Sequence, residues 1–273
     1  MCEQAARTLI KSTIWKNEKI AKDVYLMSFK SKYIADNAYP GQFINVKIPG
    51  NQALILRRPF SIYNIENDIV SIIYMVVGKG TESLSKTVEA TEIDVLGPLG
   101  TGFNINKHKK TAILVGGGCG TPPLYFLAKE LANQGHDIYP FLGFGEKEKV
   151  FLDYEMSDIS GRVFVSTDDD THEIRNICTH HGTILSFLEK YYNENKQDFN
   201  QDNVCIYSCG PAALLSAVKK FANKNGFTAQ VSLEEYMGCG FGVCLGCAVK
   251  TTDGTFKYVC KDGPVFDINE VEI

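Results

Sequence analysis

No stretch of this 273-residue sequence stays apolar long enough to span a bilayer, and the opening MCEQAARTLIK holds no uninterrupted run of signal-peptide length. A cytoplasmic location is therefore expected. Clustered charge is missing too: 28 Lys and Arg stand against 32 Asp and Glu, a net charge of -4, and the basic residues are scattered. That distribution gives neither nucleic acid nor an anionic membrane a reason to bind. Internal repeats and low-complexity tracts are absent as well, which excludes a solenoid. What remains is an ordinary globular composition, 44% hydrophobic and 22% charged, in a chain long enough for two domains and a small appendage.

The nine cysteines are the first functional signal. Without a secretion signal they make a poor disulfide framework, so metal binding or catalysis is the better expectation. Cys2, Cys119, Cys178, Cys205 and Cys209 are dispersed, whereas Cys239, Cys244, Cys247 and Cys260 fall within 22 positions. MGCGFGVCLGC followed by YVCKDG gives C-x4-C-x2-C-x12-C, whose first three positions reproduce the plant-type 2Fe-2S pattern. Glycines at 238, 240, 242 and 246 suit a loop wrapped closely around inorganic sulfide. A four-cysteine zinc site is the competing reading, although it usually presents two separated C-x2-C pairs and only one is present. The fourth cysteine also lies nearer the third than in plant ferredoxins.

From about Thr8 to Phe103 the chain reads as short strands with turn punctuation, a small antiparallel barrel interrupted by one helix starting at Thr81. At Thr111 the texture changes. TAILVGGG, DIYPFLGFG, RVFVST, NVCIYSC and TAQVSL are strand candidates alternating with the helical patterns PPLYFLAKELANQG, GTILSFLEKYYNE and PAALLSAVKKFANKNG. Such alternation implies a parallel sheet covered on both faces. The expected boundaries are 1–104 for the barrel, 105–228 for the α/β domain and 229–273 for the cysteine segment. A unit as small as the last could not fold unaided, so a metal centre would be needed structurally.

Three strand ends look suited to a dinucleotide. GGGCGTPP, holding Gly116, Gly117, Gly118, Gly120 and Thr121, ends one strand and opens a helix, offering N–H groups to a pyrophosphate. It is not the GxGxxG fingerprint, because Thr121 stands at the last glycine position, and a plain Gly-rich turn is the alternative. VSTDDD brings Asp168 to a strand end, where a carboxylate accepts from ribose hydroxyls, though a solvated acidic loop is as good a reading. SCGP places Cys209 at the carboxyl edge of the sheet, yet a lone cysteine is usually a small buried hydrophobe. In the barrel, RRPFSIYN sets Arg58 where it could fork onto a phosphate and Ser61 where it could donate to a ring nitrogen; an edge strand with surface arginines is the plainer account. GKGT, ahead of the helix, is a second phosphate cradle.

The ordered set RPFS, GKGT, GGGCGTPPLY, SCGP, SLEEYMGCGFGVCLGC and VCKDGPVF resembles the iron-sulfur electron-transfer subunit of the type B dihydroorotate dehydrogenases, over nearly the whole chain. RPFS, GGxxGTPP and CGP belong to the wider ferredoxin reductase-like superfamily, while the cysteine spacing joined to VCKDGPVF is more specific. The resemblance implies an FAD-binding barrel, an NAD-binding α/β domain and a 2Fe-2S domain. FAD would meet Arg58, Pro59, Phe60 and Ser61, then Ile73, Tyr74 and Met75, then Gly80 and Thr81. NAD would lie across Gly116 to Thr121, with Asp168 near its adenosine ribose and Cys209 near the nicotinamide. Cys119 stands where relatives commonly carry an aliphatic residue and is assigned no chemistry.

The implied partner is an FMN-containing catalytic subunit, in a heterotetramer of two copies of each. Dihydroorotate would be oxidised there, and electrons would reach NAD+ through the cluster and FAD. Since the chemistry lies in the cofactors, no acid-base residue is expected, and most of the five histidines, His180 and His181 included, are expected to be surface residues. The loop from Phe241 to Leu245 is expected at the subunit interface. Two alternatives stay open: the small subunit of a related ferredoxin-NADP oxidoreductase or sulfhydrogenase, and a zinc-stabilised nucleotide-binding regulator without redox chemistry.

Overall fold

Burial alternates residue by residue along the first half of β1 (Thr8–Ala21), the period that lets a strand bury one face. A computed structural model describes residues 7–50, 53–169 and 177–273, which leaves Cys2 and Asp170 outside the described residues. β1 pairs with β2 (Val24–Lys30), and β3 (Phe43–Lys47), β4 (Arg58–Glu66), β5 (Ile69–Met75) and β6 (Glu92–Leu99) complete a closed antiparallel barrel in the order β1-β2-β5-β4-β3-β6. Its inward side chains, including Met27, Phe29, Ile44, Val46, Ile62, Ile72 and Val95, are fully buried and fill the lumen. A ligand of this barrel must therefore lie against its outer wall.

Two short helices serve the barrel. α1 (Lys32–Asn37), too short at six residues to show a helical period in the sequence, is capped by the Ser31 hydroxyl accepting from the Ile34 N–H at 3.2 Å. α2 (Lys79–Ser85) begins two residues before the expected Thr81. The Thr81 hydroxyl accepts from the N–H groups of Val77 at 3.0 Å and Gly78 at 3.3 Å, closing the first turn from inside.

The second half is a seven-stranded sheet. β7 (Thr111–Gly117), β8 (Asp137–Phe144), β9 (Phe164–Thr167), β10 (Cys178–His181), β11 (Val204–Cys209) and β12 (Thr228–Ser232) run parallel in the order β10-β9-β8-β7-β11-β12. α3 (Thr121–Asn133), α4 (Asp153–Ser160), α5 (Ile184–Glu194) and α6 (Ala212–Asn225) cross between the strands. α4, in DYEMSDIS, is not among the expected helices because its apolar positions are too few to show a period.

The C-terminal segment forms a two-stranded ribbon, β13 (Ala248–Lys250) with β14 (Phe256–Tyr258), and then β15 (Val265–Asp267), antiparallel to β12. The segment is thus packed onto the sheet rather than standing apart from it. Val231 pairs with Phe266, and Val249, Val259, Ile268 and Val271 join the same core as Ile206 and Val231. The segment shares the sheet's hydrophobic core, which adds apolar burial to whatever a metal centre would supply.

Candidate cofactor sites

All four clustered cysteines arrive at one loop, between β12 and β15. Six backbone N–H groups turn onto their sulfurs. Those of Phe241, Val243 and Cys244 point at Cys239 Sγ at 3.4, 3.3 and 3.4 Å, and that of Gly242 points at Cys260 Sγ at 3.1 Å. Cys239 N–H reaches Cys244 Sγ, and Cys260 N–H reaches Cys247 Sγ, each at 3.4 Å. Burial opposes ionisation of Cys239, but these donors outweigh it and bring its thiol down to about 6. Cys260 is pushed the other way, up to about 12, by burial and by Cys247, whose sulfur is 3.3 Å away. A loop that turns N–H groups inward onto sulfur is a nest for negative charge, which fits an anionic sulfide centre.

The sulfurs come as two pairs, Cys239 with Cys244 and Cys247 with Cys260. Two pairs suit two irons better than one tetrahedral zinc. Gly240 lets the loop settle on the barrel: its φ is +78°, and a Cβ there would overlap the amide of buried Asn45 on β3.

Outside the barrel lies a cleft of about 510 Å³, open between β4, β5 and the segment after β12. Of the expected flavin residues, Arg58, Pro59, Phe60, Ser61, Ile73, Tyr74, Met75 and Thr81 line it. Gly80 stands behind them, where a Cβ would come within 2.8 Å of Arg58 Nε. The two adjacent arginines part company. Arg57 is bound to Asp94 at 2.9 Å, whereas Arg58 stays in the cleft wall, donating to the Leu56 carbonyl at 2.6 Å. Sequence reasoning missed the opposite wall, formed by Ser232 to Met237, although SLEEYM was visible in the chain.

A second cleft, about 880 Å³, lies at the carboxyl ends of the parallel strands, where open α/β sheets take ligands. Gly117, Gly118, Gly120 and Asp168 line it. Gly116, Thr121 and Cys209 are buried behind the wall, and a Cβ at Gly120 would run into the Cys209 carbonyl. Burial raises the Cys209 thiol well above its ordinary value, which leaves it neutral. Lys149 also lines this cleft, held by Glu146 at 2.7 Å. His180 stacks on Phe187 and bonds Ser186 at 3.0 Å, and lines neither cleft.

A barrel with an outer cleft, joined to a parallel sheet with a cleft at its carboxyl edge, defines a ferredoxin reductase-like protein, here with an iron-sulfur domain added. The ferredoxin-NADP+ reductase of Neisseria gonorrhoeae, solved with bound FAD and NADP, shares the fold at a TM-score of 0.67 and 14% identity, over 80% of this chain and 92% of that one. An NADH-dependent reduced ferredoxin-NADP oxidoreductase superposes at 0.82 with 30% identity, over 96% of this chain and 89% of that one. Residues 234–272 match the family model of the iron-sulfur cluster binding domain of dihydroorotate dehydrogenase B. The electron transfer subunit of dihydroorotate dehydrogenase B (NAD(+)) from Fusobacterium nucleatum is 38% identical over 96% of this chain and 97% of its own length. That from Shouchella clausii is 35% identical over 95% and 96%. The chain belongs to the family of NAD-dependent dihydroorotate dehydrogenase electron transfer subunits, which is an oxidoreductase family and implies a catalytic partner subunit. The cluster-domain match also answers the zinc alternative.

Proposed function

We propose that this chain passes electrons from dihydroorotate, oxidised on a separate FMN-bearing subunit, through a 2Fe-2S cluster and FAD to NAD+ in pyrimidine biosynthesis. One observation carries the reading: a cysteine loop, a barrel cleft and a cleft at the sheet's carboxyl edge succeed one another in a single chain. When bound, the cluster moves electrons singly and the flavin exchanges them as pairs with nicotinamide.

In this reading Cys239 and Cys244 hold one iron, Cys247 and Cys260 the other. Backbone N–H groups on the sulfurs stabilise the cluster's negative charge. Arg58 takes a flavin phosphate, helped by Gly80, whose missing side chain leaves the guanidinium room, and by the α2 turn that Thr81 closes. Pro59, Phe60, Ser61, Ile73, Tyr74 and Met75 form the bed of the ring system. Gly117, Gly118 and Gly120 present backbone to the dinucleotide with Gly116 and Thr121 packed behind them, Asp168 accepts from its adenosine ribose, and Cys209 acts through the backbone that Gly120 packs on. A carboxylate at Asp168 would repel a 2'-phosphate, which favours NAD over NADP. The described cysteines are all unbridged, in keeping with a cytoplasmic setting, and no helix among the described residues is long and apolar enough to cross a membrane.

The test is anaerobic purification with iron, sulfide and flavin analysis, then reconstitution with a dihydroorotate-oxidising subunit. Dihydroorotate-dependent NAD+ reduction is expected, from a complex whose mass corresponds to two copies of each subunit. The close superposition on the ferredoxin-NADP oxidoreductase gives a second reading, as the small subunit of such an enzyme. NADH-dependent ferredoxin or NADP chemistry without dihydroorotate turnover would establish that one instead.

A further inference from the structure

The walls of the two clefts have four residues in common: Met75, Val77, Cys119 and Glu234. Hydride passes only between atoms brought to about 3–3.5 Å. If one cleft holds the flavin and the other the dinucleotide, the nicotinamide end must come to this shared rim.

Of these four residues only Glu234 carries an acidic side chain. Its carboxyl is exposed to the cleft and makes no hydrogen bond or ion pair among the described residues, and the walls beside it raise its proton affinity somewhat. Among the described residues neither cation of the cleft walls pairs with it: Lys149 is held by Glu146 at 2.7 Å, and Arg58 donates to the Leu56 carbonyl at 2.6 Å. Cys119 offers no help either, since burial and Glu234 itself push its thiol up to about 12. A carboxylate without a partner at the mouth of a cleft is stabilised by a cation that reaches it.

The proposed chemistry brings one such cation to the rim. The nicotinamide ring of NAD+ carries a positive charge, and that of NADH carries none. We propose that Glu234 determines the redox-state specificity of the second cleft, holding NAD+ through the charge of its ring and releasing neutral NADH. The inference rests on the flavin and dinucleotide assignments above. It also gives the chain a preference suited to a protein whose acceptor is NAD+, because product leaves a site made for substrate.

The experiment measures dissociation constants in the flavin-loaded protein for NAD+, for the tetrahydronicotinamide analogue of NADH, which is neutral and cannot reduce flavin, and for ADP-ribose, which lacks the ring. The unaltered protein should bind NAD+ about tenfold more tightly than the analogue, the ratio expected of one partly desolvated charge pair. Glu234→Gln should abolish most of that ratio by weakening NAD+ alone, Glu234→Asp should keep it, and ADP-ribose should bind all three proteins equally. Equal affinities for NAD+ and the analogue in the unaltered protein overturn the proposal, as does an unchanged ratio in the Gln variant. Should the Gln variant fail to fold, the unaltered protein and the Asp variant still decide it. Failure of the unaltered protein to bind ADP-ribose would instead remove the dinucleotide assignment and this proposal with it.

Discussion

Gly240 is the position where backbone and packing make the same demand. Its left-handed φ of +78° strains any other residue, and a Cβ there would displace the Asn45 amide from the interior. Gly240→Ala should yield protein that keeps its flavin but carries severalfold less iron and sulfide, as measured by metal and acid-labile sulfide analysis. Four glycines around the cysteines read alike in the chain, yet only Gly240 and Gly242 adopt positive φ while Gly238 and Gly246 do not. The adjacent arginines are a parallel case. RRPF displays two equivalent cations, and only the approach of Asp94 on β6 assigns Arg57 to structure and leaves Arg58 in the cleft. Residue types announce what a site can contain, but neighbours distant in sequence decide which copy serves.

At the scale of elements, the barrel and the sheet are tied by the segment after β8. Glu146 receives Lys149 at 2.7 Å and, from the β1–β2 turn, Lys22 at 2.7 Å, while the Lys22 N–H donates to the Glu148 carbonyl at 2.9 Å. Lys149 first, and then Lys22, hold the Glu146 carboxyl at about 2, against an ordinary 4.5. A carboxyl depressed by folding adds stability above its unfolded value and loses that contribution as pH falls through the folded one. Glu146→Gln should therefore destabilise slightly at neutral pH. The difference in urea midpoint should narrow as pH drops from about 5 towards about 2, and a pH-independent difference would show that the ion pairs contribute nothing. The tie between β12 and β15 is apolar and stronger. Phe266 is 3% exposed, so Phe266→Ala should cost about 3–5 kcal/mol in urea unfolding, although it lies outside the alternating strand and helix pattern. Three residues, VFD, are too few to signal a strand, and β15 exists because β12 offers an unpaired edge.

Across the whole molecule, apolar side chains crowd the surface around the cysteine loop. Tyr236 is 94% exposed, Val243 71% and Leu245 52%, with Phe241 beside them and its carbonyl accepting from Arg7 at 2.8 Å. Water-facing apolar groups around a redox centre suit a partner surface, because electrons must leave where the cluster comes nearest to the outside. Phe241→Asp should weaken assembly with the catalytic subunit at least tenfold in sedimentation or calorimetry while flavin content stays unchanged. Assembly at full strength would move the interface elsewhere.

The amino-acid sequence by itself determined the chain's local chemistry: the cysteine spacing, the strand-to-helix glycines, the barrel's alternating strands and the parallel sheet's continuous apolar runs. Each depends on neighbours only a few residues apart, and such neighbours keep their relation in any fold that forms. The meeting of the two clefts at Met75, Val77, Cys119 and Glu234 was not legible there, nor was the antiparallel edge strand that anchors the cluster segment. These bring together residues up to about 160 positions apart, and closure of the barrel against the sheet decides which of them touch. Glu234 shows the difference most clearly: in the chain it is one of two adjacent glutamates, and only the fold sets it on the rim that both clefts share.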